Sequence, residues 1–186
     1  QPPGAAWGQS VLPKADSTAA AGLLAASLSA EARGRTDSAD LFQSRAFVIF
    51  KGHDALGLLY DALFERGKAL AVRLDRPVDA IKFVRKNSGS EWRKPRTPEE
   101  WKLKIRFTNV GAYAAQVRLG DYQTARAFYE QCFDDYSGHL GNDERELAYN
   151  ILGQLANICS RLGDYERARL LLSKKITLAL HNRDQP

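Results

Sequence analysis

The chain of 186 residues contains no methionine, two cysteines and three histidines. Each scarcity removes a class of chemistry. Cys132 and Cys159 have no metal-ligand spacing and are too few for a secreted-type disulfide framework. On helices they read as small buried hydrophobes. His53, His139 and His181 lie far apart and share no motif with a cysteine or carboxylate, which argues against a zinc site or a cysteine–histidine nucleophile. A phosphate-cradling loop at Gly67-Lys68 would need glycine where Ala62 stands and a hydroxyl residue where Ala69 stands. Asp134-Asp135 are neighbours whose side chains diverge on a helix, and Glu99-Glu100 suit the positive end of a helix dipole. No apolar run reaches membrane-spanning length, so a soluble or peripheral protein without membrane insertion is expected. These absences predict a protein with no catalytic, cofactor-binding or metal-binding residues, and no cofactor. A start at Gln1 without methionine agrees with removal of a targeting leader, or with an arbitrary boundary.

What is present is a repeat. Arg118-Leu119-Gly120-Asp121-Tyr122 returns unchanged as Arg161-Leu162-Gly163-Asp164-Tyr165, and Ala125-Arg126 returns as Ala168-Arg169. Each copy lies between two apolar stretches of helical length. Self-similarity at such a period marks a stack of helix pairs. The corner has a physical logic: glycine ends one helix in the left-handed conformation, aspartate caps the next, and tyrosine wedges between the two.

Helical spacing of apolar residues over Asp54–Leu74, a corner at Asp75-Arg76-Pro77 and a helix over Val78–Arg85 read as a degenerate first copy. Thr97, Pro98 and Glu100 form a capping box that starts a helix running to Arg118. Further helices are expected over Tyr122–Tyr136, from an Asn142 cap to Arg161, and over Tyr165–His181. The predicted fold is all-α: a right-handed helical-repeat solenoid of about three helix pairs over residues 41–186. Residues 1–40, rich in Ala, Ser, Gly and Pro, read as a flexible or extended N-terminal tail, in which Ser17–Ala32 also fits an alanine-rich helix with little surface to bury. Leu41–Lys51 fits either an extended segment or a short helix.

The net charge of +5 is concentrated. Between Lys82 and Arg106 nine basic residues face three acids, a net of +6, and the rest of the chain sums to −1. Trp92 and Trp101 fall in this stretch. Three readings are open: bases stack on the rings while arginines neutralise RNA phosphates; Trp92, Arg93, Lys94, Arg96 and Trp101 anchor the chain on an acidic protein surface; or the tryptophans pack between repeats and the charges face water.

Gly120, Tyr122, Ala125 and Tyr129 fall at the spacing of the second half of a tetratricopeptide repeat, as do Gly163, Tyr165 and Ala168. The chain resembles that family there. Its first half-repeat differs, with Asn109, Ala112-Tyr113 and Gln116 at the family's Trp, Leu-Gly and Tyr positions, and its period exceeds the family's roughly 34 residues. Pentatricopeptide repeats, mostly organellar RNA binders, are helix pairs of similar length. Leu41–Lys51, the helix entry Gly52-His53-Asp54-Ala55-Leu56 and the repeat pairs ending in Leu180 resemble the eighteen-kilodalton accessory subunits of the euglenozoan mitochondrial ATP synthase head. That resemblance implies a structural subunit in the mitochondrial matrix, at the inner membrane, docked outside the alpha subunit of the complex, with no catalytic residue of its own. An organellar RNA-binding protein and a tetratricopeptide adaptor are the alternatives.

Overall fold

The computed structural model describes residues 12–89, 94–140 and 144–180. The regular structure among them is helical, with no strand, in agreement with the all-α expectation. The α-helices are α1 (Lys14–Ala32), α2 (Thr36–Gly52), α3 (Leu56–Lys68), α4 (Pro77–Ser88), α5 (Pro98–Tyr113), α6 (Tyr122–His139), α7 (Arg145–Arg161) and α8 (Tyr165–Leu180). Two of them end in π-helical segments: α3 passes into Ala69–Arg73 and α5 into Ala114–Leu119. The chain divides into two compact units at Arg66/Gly67, inside α3.

The first unit corrects the expected division at residue 40. Residues 14–32 form α1, and α2 begins at Thr36, so a tail reading fails from Lys14 onward. The first eleven residues of the expected tail lie outside the described residues. The physical reason is that α1 packs with small side chains rather than large ones. Ala20 and Ala30 of α1 and Ala39 and Ala46 of α2 are buried, and Ser27 donates to the Ala39 carbonyl at 2.9 Å. A charged cluster supplies the rest. The Arg66 guanidinium of α3 donates to Glu31 of α1 (2.9 Å from Nε), to Asp40 (2.8 Å) and to the Gln43 amide oxygen of α2. Glu31 and Arg66 are 1% and 3% exposed, so this cluster is part of the core. Leu41–Lys51, whose pattern left two conformations open, is helical within α2.

The second unit follows the sequence closely. Thr97 Oγ1 accepts from the Glu100 amide at 3.2 Å while the Glu100 carboxylate accepts from the Thr97 amide, and Pro98 opens the helix. Trp101 and Ile105 of α5, Cys132 and Tyr136 of α6, Leu140, and Ala148 and Ile151 of α7 form one core cluster, with Leu178 of α8 packed against it. Fully burying a side chain such as Ile105 or Phe107, both 0% exposed, stabilises by about 1.5–3 kcal/mol. Helix α6 runs to His139, beyond the expected end at Tyr136. The expected Asn142 cap lies outside the described residues.

Three corners share one construction. Asp75, Gly120 and Gly163 are left-handed, with φ of 51°, 67° and 81°. Arg73-Leu74, Arg118-Leu119 and Arg161-Leu162 precede them. Asp121 and Asp164 then accept from the Thr124 and Arg167 amides at 3.0 and 3.3 Å. The π-helical segments begin at Ala69 and Ala114, at the same offset as the corners they feed. Each adds one residue of slack, and the corner amide then reaches far back, from Arg76 to Leu70 and from Asp121 to Ala115. Behind each corner a small residue and a large apolar one are buried in turn: Ala80 and Phe83, Ala125 and Phe128, Ala168 and Leu171.

Candidate interaction surface

Of the five residues expected to anchor a partner, Trp92 and Arg93 lie outside the described residues. Lys94 and Arg96 are exposed just before α5. Trp101 is not on the surface. It is 7% exposed, its ring stacks on His139 with centroids 3.6 Å apart and planes within 8°, and Lys104 Nζ lies 4.6 Å from its centroid. This fits the packing reading of that ring rather than the anchoring one: an aromatic placed one helical turn into α5 faces α6. Two charges of the basic stretch are also satisfied internally. Lys104 pairs with Asp135 at 2.9 Å, and Lys102 pairs with Glu144. The six residues Lys82, Arg85, Lys86, Lys94, Arg96 and Arg106 remain at the surface.

A second set of residues joins successive corners. The Arg118 side chain reaches back to the carboxylate of Asp75, one corner earlier. Arg161 reaches back in the same way to Tyr122, its guanidinium 5.2 Å from the ring centroid and donating to the hydroxyl at 3.1 Å. Alternate helices are bridged alongside. Arg85 of α4 lies 5.7 Å from the Phe128 ring of α6, and Arg167 of α8 pairs with Glu130 of α6 at 2.6 Å. Tyr129 of α6 donates to Gln116 after α5, which donates to Gln154 of α7 at 3.2 Å. Burial, the leading cause, pushes the Tyr129 hydroxyl well above its ordinary pKa, so it stays a neutral donor.

Apolar surface is exposed on α8. Tyr165, Leu172, Ile176 and Leu180 fall on one helical stripe, at 70%, 47%, 59% and 54% exposure. Tyr149 of α7 adjoins the stripe, with Lys175 Nζ over its ring at 3.9 Å, and Tyr149, Leu172, Lys175, Ile176 and Leu180 border a shallow cleft of about 390 Å³. A stripe of this kind is the usual mark of a contact surface. Sequence reasoning passed over it because the same spacing describes a helix facing its own core. In the first unit, a cleft of about 340 Å³ is lined by Leu24, Leu28, Leu58 and Ala62, and by Arg66, which Glu31 already engages.

No group of three or more histidine, cysteine, aspartate or glutamate residues able to hold a metal ion occurs among the described residues. Among those residues no helix is long and apolar enough to cross a membrane. No protein-family model, no curated protein and no solved structure matches the chain.

Proposed function

We propose that this chain is a non-catalytic structural subunit whose helix pairs stack in a right-handed solenoid and bind a larger protein. The observation that carries this reading is the corner-to-corner ladder, Arg118 to Asp75 and Arg161 to Tyr122, which ends at an exposed apolar stripe on α8. Within the second unit α7 packs on the core cluster of α5 and α6, and α8 presents its apolar stripe to a partner. Tetratricopeptide-like corners and the resemblance described above make the mitochondrial ATP synthase head the assembly of choice, with the outside of its alpha subunit as the docking site and the matrix face of the inner membrane as the location. The RNA reading is weakened because Trp101 is buried and Lys102 and Lys104 are ion-paired within the fold.

The experiment is gentle extraction of mitochondria from the source organism, native electrophoresis, and mass spectrometry of the band that carries this chain. The expected result is co-migration with the ATP synthase head. A chain found only as a free monomer would refute the subunit reading, and a large assembly lacking the alpha subunit would redirect it to another partner.

A further inference from the structure

The internal repeat shows what covers a face like that of α8. Residues of α8 correspond to those of α6 at the repeat offset, so Tyr165 stands where Tyr122 stands, Leu172 where Tyr129 stands, and Ile176 where Phe133 stands. In α6 these positions are covered. Tyr129 is 5% exposed, Phe133 packs on the core cluster shared with α7, and Tyr122 holds Arg161 against its ring. In α8 the corresponding Leu172, Ile176 and Tyr165 are exposed. The covering element in the first case is α7, an amphipathic helix that ends in arginine.

One position differs in a way that specifies the partner. Cys132, fully buried with its thiol toward the Ile105 carbonyl of α5, corresponds to Lys175, which borders the exposed cleft. Lys175 lies along α7, with Nζ over the Tyr149 ring and within reach of Gly153, and Lys174 is exposed beside it. A purely apolar helix would strand that ammonium group on docking. An acidic side chain facing it would not, and the lysine stem would still cover apolar surface.

From this correspondence we infer that the α8 stripe binds an amphipathic α-helix of a partner protein in the manner in which α6 binds α7. The partner helix carries an apolar stripe against Leu172, Ile176 and Leu180. It carries a carboxylate opposite Lys175, and an arginine or lysine in its last turn over the Tyr165 ring. The inference rests on the subunit reading above and adds the location and chemistry of the contact. The cation–ring contact resembles the one Arg161 makes, and the exposed apolar anchors supply most of the binding energy.

The test uses the full chain in its native assembly. A photoreactive phenylalanine analogue replaces Tyr165 or Ile176, and a third chain carries it at Arg96 as a reference. Cross-linked peptides are identified after irradiation of the intact assembly. The expected product from both α8 positions is one helical partner segment, with a basic residue in its last turn near position 165 and an acidic residue between the two sites. In parallel, Ile176→Asp, at an exposed site, is expected to leave the melting temperature unchanged and to lower incorporation about tenfold or more, as removal of an apolar anchor does. Cross-links from Arg96 but not from α8, or to a non-helical segment, overturn this inference while the subunit reading stands. Cross-links from α8 to a second copy of the chain also overturn it. Loss of all cross-links, with a free monomer, overturns both.

Discussion

Gly111 gives the sharpest test of how α5 and α6 meet. A Cβ at this position would lie 2.8 to 2.9 Å from three carbons of the Phe128 ring, where ordinary contact begins near 3.4 Å. The ring is 4% exposed, with Arg85 nearby, so it has little room to turn. In a helix interior, alanine is favoured over glycine by about 1 kcal/mol. Overpacking a tight core costs about 1–3 kcal/mol. Three simultaneous close contacts with a rigid ring place Gly111→Ala in the upper half of that range, for a net loss of about 1–2 kcal/mol. The assay is urea unfolding followed by circular dichroism. Gly153→Ala is the control, because its nearest neighbour is the Lys175 ammonium at 2.7 Å, the free end of a flexible chain that can swing away. That variant should stay within about 0.5 kcal/mol of the parent or exceed it. Adding Phe128→Leu to Gly111→Ala should recover about 1 kcal/mol beyond additivity. A Gly111→Ala protein at least as stable as the parent would refute the close approach.

Three further outcomes are expected. Arg66→Met should cost about 3–5 kcal/mol by leaving Glu31 buried without its cation, and Glu31→Gln added to it should restore a large part; equal loss in the single and double variants, measured by urea unfolding, would count against a buried ion pair. Asp121 has its pKa lowered, chiefly by the hydrogen bonds from Thr124, so its stabilisation is complete above the unfolded carboxyl pKa of about 3.9 and is lost as pH falls through the lower folded value. The stability gap between the parent and Asp121→Ala should therefore be about 1 kcal/mol at neutral pH and shrink below about pH 4; a gap that holds at pH 3 would exclude the carboxylate as the cap. Cys132 and Cys159 are fully buried, and burial is the first cause of the raised pKa of each, so a thiol reagent should modify neither in native buffer and both in denaturant, and fast native reaction would contradict that packing.

The corners were legible because their chemistry is local. Gly120 and Gly163 supply positive φ, Asp121 and Asp164 cap, and Thr97 with Glu100 closes a box within four residues. None of these needs a distant partner. The N-terminal unit was misread for the opposite reason. Its packing rests on alanines and on Glu31, Gln43 and Arg66, residue types that sequence pattern assigns to a tail or a surface. Only the approach of three helices turns them into core. The π-helical endings at Ala69 and Ala114 also left no mark in composition.

Among the expected anchors, Trp101 lay on the correct helix, but its sequence position fixed only its place in the first turns of α5. Whether it faced solvent or His139 depended on where the end of α6 came to rest. Spacing and residue type by themselves determined the helices of the second unit and the repeated corner, because those follow from interactions within a few residues. The tertiary structure alone decided which apolar stripes are covered. Tyr129 and Leu172 occupy the same repeat position, and they differ in exposure: Tyr129 is held by Gln116, which Gln154 of α7 engages in turn, whereas no described helix lies over Leu172.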